Sequence, residues 1–384
     1  MSAADRRDWP GDINNRISVA DNLFAARDRL LENTGFQRLS SSFPFTRGIA
    51  RREAQALFDL CAGFVYSQIL FACVSLGLFD HLKDKPRTLA ELARRMSLPL
   101  AAAERLLRGA IALRLVSRRS GGRYGLSMLG AALNGNPSVA AMIRHHAMLY
   151  RDLQDPVALL RGESHTEMSR FWAYAKAGAG EADSDDVAEY SRLMTESQAL
   201  VAHDILDAIS LKRHRCLLDI GGGEGAFITA AAKRYPSLRF QILDLPAVAV
   251  RTERTMAQGD LADRCEIHAG SFLEGELPRG ADVISLVRVL HDHDDPVVLN
   301  LLRAIHAALP PGGVLLIAEP FAETPGAERM GDAYFGFYLL AMGQGRPRAA
   351  AELRSMLLET GFVRVRQLRT RRPMLTGAIT ASRD

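Results

Sequence analysis

From residue 211 onward, short apolar runs alternate with longer segments whose apolar residues recur at helical spacing; the runs are CLLDI, FQILD, CEIHAG, DVISLVRV and GVLLIAE. Runs of that length bounded by glycines and acids read as buried strands, and strands alternating with helices predict a parallel sheet covered on both faces. The last two runs, VRVRQLRT and LTGAITAS, predict an antiparallel hairpin at the sheet's edge. The helical run DVAEYSRLMTESQALVAHDILDAI leads into the first strand at Cys216, after an acidic, glycine-bearing surface loop at residues 177–186. A domain boundary is therefore expected near residue 205, with domains 1–205 and 206–384.

The first half has a different rhythm. Residues 60–79, LCAGFVYSQILFACVSLGLF, hold no charge and are long enough to cross a bilayer. Ser67, Gln68, Ser75 and Gly77 argue against insertion, and Asp59 and Asp80 bracket the run without a basic anchor at either end. A helix apolar all round also suits a protein interface, and burial between two protomers is the expectation. TLAELARRMSL, a helix beginning at Pro99 and the glycine-tipped SGGRYGLSMLG then form a winged-helix pattern. Arg105 and Arg108, with Arg94 and Arg95 nearby, raise the alternative of a DNA-binding regulator, whereas Ala103, Leu106, Leu107, Ala110, Ile111 and Leu113 form a packing face.

Composition narrows the classes. A chain of 384 residues suffices for two domains, and a net charge of +4 is too modest to point to nucleic acid. Cys61, Cys73, Cys216 and Cys265 lack any paired spacing, and the first residues, MSAADRRDWPGD, carry no apolar leader core, so a reducing cytoplasm is the expected location.

The chemistry is concentrated in LLDIGGGEG, residues 217–225, where an apolar run closes on Asp219 and then on Gly221, Gly223 and Gly225. Glycines there let a ligand lie against backbone amides at the start of the following helix. Asp244 ends the next strand twenty-three residues after Gly221, where an acid reaches a ribose hydroxyl pair. Gly221, Gly223 and Ala226 also satisfy a loose dinucleotide fingerprint, but no hydride-transfer constellation accompanies them. A later strand runs into HDHDD, residues 291–295.

Together these motifs resemble the S-adenosylmethionine-dependent O-methyltransferases that plants and bacteria use on small molecules. The resemblance implies an α/β Rossmann-like methyltransferase domain, with a seven-stranded, mostly parallel sheet, preceded by a mainly α-helical winged-helix module. In that family the module serves dimerisation and roofs the substrate pocket, which implies a homodimer without nucleic acid. It implies S-adenosyl-L-methionine held by Gly221, Gly223, Asp244, Leu245, Ser271, Phe272 and Arg288. His291 matches the family's general base in H-D-x-x-D, Asp292 its second residue, and Glu319 the acid that orients the histidine. Substrate contacts are sought at His145, His146, Tyr150 and Met194.

Duller readings stand beside these. Asp294 or Asp295 before Pro296 is a good helix start, so at least one of them should do nothing else; His293 reads as a surface or packing residue. No metal is expected, since histidines one residue apart after a strand point to opposite sides. The chain also departs from plant members: Ser271 and Phe272 replace an acid at the adenine position, Val287 stands where a lysine precedes the base, and a second acid is replaced near Pro347.

ALFDLCAGFVYSQ, YGLSMLG and MIRHHAMLYRDLQDPVALLRG resemble the bacterial branch containing the carotenoid O-methyltransferases, which implies an acyclic acceptor such as demethylspheroidene or hydroxyneurosporene. Another lipophilic alcohol or a bacteriochlorophyll precursor remains open. Because a polyene is insoluble in water, LSSSFPFTRGIARR, residues 39–52, is weighed as a peripheral contact on the inner face of a photosynthetic membrane. A dimer arm is the favoured reading.

Overall fold

The computed structural model describes residues 19–171, 198 and 201–384. Met194 and the loop at 177–186 lie outside the described residues. The chain divides into two compact units, Met1–Ala72 and Cys73–Asp384.

The first unit consists of helices Val19–Glu32 and Thr34–Ser42 and most of helix Arg47–Ser75. The Asn33 side chain starts the second of these by accepting the Phe36 amide at 3.0 Å, as an N-cap should. Arg47–Ser75 is long and apolar enough to cross a membrane by length and composition, and most of it is exposed. Leu60 and Phe64 have 72% and 71% of their surface uncovered, so the face expected to be buried between protomers is open on a single chain. The charge-free run is also not one helix. It breaks after Ser75, where Gly77 takes φ +64°, and a short helix restarts at Leu78–Leu82.

After Leu78–Leu82 the second unit continues with helices Leu89–Arg95 and Leu100–Ala112 and a three-stranded antiparallel sheet. Its strands are β1 (Arg87–Thr88), β2 (Val116–Arg119) and β3 (Arg123–Leu126), with β3 central. Thr88 and Glu91 form a reciprocal capping box. The packing face read from sequence is present, with Ala103, Leu107 and Ala110 fully buried. Arg108, weighed as a DNA contact, is paired with Glu104 at 2.8 Å.

The large sheet is built from β4 (Cys216–Ile220), β5 (Arg239–Asp244), β6 (Cys265–Ala269), β7 (Val283–Val287), β8 (Val314–Glu319), β9 (Val363–Leu368) and β10 (Gly377–Ser382). They lie in the order β6-β5-β4-β7-β8-β10-β9. The first five are parallel, and β10 runs antiparallel to both β8 and β9. All five residues of β7 are buried, four of them apolar with Ser285 between, as expected of a strand covered on both faces. One apolar layer gathers Leu218, Ile284 and Ile317 with helix Asp295–Ala308, and the other gathers Leu217, Phe227 and Phe240. Val201, Ala202, Ile205 and Leu206 belong to the second layer. The chain winds outward from β4 through β5 to β6, then crosses back to β7. The gap between the carboxyl ends of β4 and β7 is therefore the switch point at which such sheets bind ligands.

Candidate active site

The glycine loop leaves β4 at that switch point. Gly221, Gly223 and Gly225 have φ of +66°, +57° and +79°, a region that side chains with a Cβ rarely adopt. Sterics add a second demand: a Cβ on Gly221 would lie 2.9 Å from Val289 of the β7 loop, and one on Gly222 2.9 Å from Asp219 Oδ2. Above Gly223 the space is open, with no atom within 4 Å of a Cβ built there. The loop is held by Asp244, whose carboxylate accepts the Gly223 amide at 2.7 Å and the Leu245 amide at 2.8 Å. Thr252 Oγ1 donates to the Gly223 carbonyl at 2.8 Å from the next helix. Burial pushes Asp244 up to about 6 against the pull of both amides and of Arg251. Asp219 accepts from Ser285 Oγ at 2.5 Å; burial pushes it up to about 7, with Ser285 opposing.

Around this loop the other expected cofactor residues gather at strand ends. Leu245 precedes helix Pro246–Gln258. Ser271 Oγ accepts the Leu273 amide at 3.1 Å, and Phe272 meets His293 edge to face with ring centroids 5.2 Å apart. Arg288 takes φ +60° while its amide donates to the Ala318 carbonyl, backbone strain of the kind that clusters at functional sites. The open face over Gly223, the glycines at positive φ and the half-buried Asp244 carboxylate together fit a nucleoside.

His291 lies just beyond β7, in a single 3₁₀ turn, Leu290–Asp292, and is buried together with Asp292 and Glu319. Its Nε2 is 3.1 Å from Asp292 Oδ1. Glu319 Oε2 accepts the His291 main-chain amide at 3.1 Å and stands 3.8 Å from Nδ1, too far for a hydrogen bond. The ring nitrogen expected to be fixed by Glu319 thus has no partner among the described residues, and Glu319 Oε1 has none either. Burial pulls the His291 pKa down, but the Asp292 carboxylate, with Glu319 behind it, raises it above the ordinary value. Burial likewise pushes Glu319 up. Phe335 stacks on the imidazole, with centroids 5.8 Å apart.

Neither Asp294 nor Asp295 is the idle helix start expected from sequence. Asp294 occupies the N-cap position, but its carboxylate accepts the Gly345 amide at 3.0 Å and makes no cap bond to its own helix. Asp295 binds Arg346 at 2.8 Å and Arg348 at 2.6 Å. Both acids tie the 343–348 loop to the histidine turn, a long-range use that local spacing cannot reveal.

The O-methyltransferase domain family matches residues 150–363, and the O-methyltransferase dimerisation domain family matches residues 58–134. The chain is 43% identical to demethylspheroidene O-methyltransferase of Cereibacter sphaeroides over 92% of its own length and 94% of that protein's. It is 40% identical to the enzyme of the same name from Rhodobacter capsulatus, over 97% and 91%. The chain belongs to the O-methyltransferase family. Its fold also matches the methyltransferase of calicheamicin biosynthesis, solved with S-adenosylhomocysteine bound, at a TM-score of 0.70 and 28% identity over 87% of this chain and 98% of that one. This protein is an S-adenosylmethionine-dependent O-methyltransferase, and its dimerisation domain supports a homodimer.

Beside His291 the methyltransferase carries an aromatic cluster that sequence reading reached only in part. A π-helical turn, Arg329–Tyr334, leads into helix Phe335–Met342. Such turns occur often at functional sites. His145 Nε2 bonds Tyr338 Oη at 2.9 Å, His146 Nε2 bonds Tyr334 Oη at 2.7 Å, and Tyr150 packs edge-on against His146. Burial pulls His145 down to about 4 and lowers His146 as well, so both rings are neutral near pH 7. Tyr334, Phe335 and Tyr338 gave no chemical signal in sequence. Only packing against helix Pro137–Asp152 brings them to the histidines.

Proposed function

We propose that this enzyme methylates the hydroxyl group of an acyclic carotenoid of the demethylspheroidene or hydroxyneurosporene type. The 43% identity to demethylspheroidene O-methyltransferase across nearly the whole chain carries this choice of acceptor. When bound, S-adenosylmethionine supplies an electrophilic methyl on a sulfonium. Gly221, Gly223 and Asp244 would hold its nucleoside, with Asp244 able to accept ribose hydroxyls beside the two amides it already accepts. Leu245, Ser271, Phe272 and Arg288 complete the cofactor's surroundings.

His291 takes the proton of the acceptor hydroxyl as that oxygen bonds to the methyl, which leaves a neutral thioether and an imidazolium. An aliphatic alcohol is far too weak an acid to ionise beforehand, so proton removal accompanies transfer. Glu319 receives Nδ1–H once the ring closes the present 3.8 Å gap, Nε2 leaves Asp292 Oδ1, now 3.1 Å away, to face the substrate, and the Asp292 charge stabilises the imidazolium. The Nδ1 that lacks a hydrogen bond and faces Glu319 supports the orienting role of that acid. His145, His146 and Tyr150, with their tyrosine partners, face the acceptor as a neutral wall. The domain before residue 205 serves dimerisation and substrate enclosure, residues 39–52 forming a dimer arm. Any contact with the inner face of a membrane is peripheral.

The decisive assay is purified enzyme with methyl-labelled cofactor and demethylspheroidene, read by mass spectrometry of the pigment. Label in a methyl ether on the carotenoid is expected. Label confined to a bacteriochlorophyll precursor or a polyketide alcohol would assign a different acceptor.

A further inference from the structure

Among the described residues, Arg348 is the largest side chain with no exposed surface. A buried guanidinium is unfavourable unless its donors are satisfied, and here they converge on one short segment. Nη1 donates to the Leu290 carbonyl at 2.8 Å, Nη2 to the His293 carbonyl at 2.7 Å, and Nε and Nη2 to Asp295 Oδ1 at 3.0 and 2.6 Å. Two of these acceptors bracket His291. The Leu290 carbonyl belongs to the same peptide unit as the His291 amide, and that amide is the group bonded to Glu319. One rigid peptide plane is thus held at its oxygen by Arg348 and at its nitrogen by Glu319.

The main chain of Arg348 reaches the other partner. Its carbonyl accepts the Ala322 amide at 3.0 Å, three residues beyond Glu319. Gly345, with φ +78°, lies so close to the histidine turn that a Cβ would overlap the His291 carbonyl oxygen. The loop therefore seats directly on the turn that carries His291, and its buried cation fixes the tilt of that turn.

We infer that Arg348 is a positioning residue for His291, setting the peptide plane through which the imidazole and Glu319 are aligned. The inference rests on His291 as the base. Small displacements of an aligned group cost up to about 100-fold in rate, so Arg348→Ala should lower kcat about 10–100-fold while leaving cofactor affinity within about twofold. Arg348→Lys should recover only a fraction, because an ammonium cannot reproduce the planar fork that serves three acceptors. Guanidinium ion added to Arg348→Ala should restore part of the turnover.

The double-mutant cycle with His291→Ala decides it, assayed with labelled S-adenosylmethionine and demethylspheroidene. If Arg348 acts through the base, Arg348→Ala adds no further loss once His291 is gone. Should Arg348→Ala lower turnover by the same factor in both backgrounds, or leave kcat unchanged in the native one, the inference is overturned. Should Arg348→Ala fail to fold, Arg348→Lys replaces it in the same cycle, where an equal loss in both backgrounds again overturns the inference. Near-native turnover by His291→Ala would instead remove the base assignment.

Discussion

Replacing Asp244 with alanine removes a carboxylate with two tasks: it bonds the amides of Gly223 and Leu245 at 2.7 and 2.8 Å, and in the proposed complex it also holds the ribose. Hydrogen bonds to a charged group contribute about 1.5–3 kcal/mol each. Burial outweighs those amides and Arg251 and moves Asp244 from its ordinary 3.8 to about 6, so at neutral pH the ionised carboxylate, its amide bonds already counted, opposes folding by about 3 kcal/mol at 1.4 kcal/mol per unit. Alanine relieves that penalty but leaves the Gly223 and Leu245 amides without their acceptor, so the variant should remain folded, with a small change in melting temperature. The ribose bonds have no such offset. Losing even one of them weakens cofactor binding by about 1.5–3 kcal/mol, a rise in Kd of roughly 10- to 150-fold. Isothermal calorimetry with S-adenosylhomocysteine measures it. The native site should also bind more tightly as pH rises through about 6, because only the ionised carboxylate accepts from amides and hydroxyls together. In Asp244→Asn that slope should vanish. Unchanged affinity in folded Asp244→Ala would refute the ribose assignment.

His291→Ala should keep cofactor affinity and lose about 10²–10⁴-fold in turnover, the usual share of a positioned base, while Glu319→Gln loses less; single-turnover kinetics separates the two effects. Because the Asp292 charge holds His291 above its ordinary 6.5, native turnover should rise with pH to a plateau through a midpoint above that value. Asp292→Asn should move the rising limb to lower pH, since burial then acts with less opposition, and a limb that stays in place would show that another group titrates. Leu60→Ala with Phe64→Ala should shift sedimentation equilibrium from dimer toward monomer, each exposed side chain contributing about 1.5–3 kcal/mol when covered. Native protein released from membranes only by detergent would contradict that interface.

What the chain settled alone was whatever depends on neighbours in sequence. Strands buried on both faces write their own apolar runs, as β4, β5, β7 and β8 do, and all seven strands of the large sheet stand in the segments that the sequence reads as strands. The turn after β4 needs positive φ at alternate positions, which only glycine supplies freely, so Gly221, Gly223 and Gly225 were legible as a ligand loop. His291, Asp292 and Glu319 were legible as a motif and do converge.

Their directions were not. Which ring nitrogen meets which acid depends on the tilt of one short turn, and that tilt is set by a loop more than fifty residues away through Arg348, Gly345 and Asp294. The departure near Pro347 was visible as a missing acid, while nothing in the sequence marked the arginine beside it as buried. The same holds for Tyr334 and Tyr338, ordinary apolar positions until helix packing places His146 and His145 against their hydroxyls. Backbone periodicity is a local property that hydrophobic spacing records. Satisfying a buried polar atom requires a partner from anywhere in the chain, and only tertiary structure chooses which one arrives.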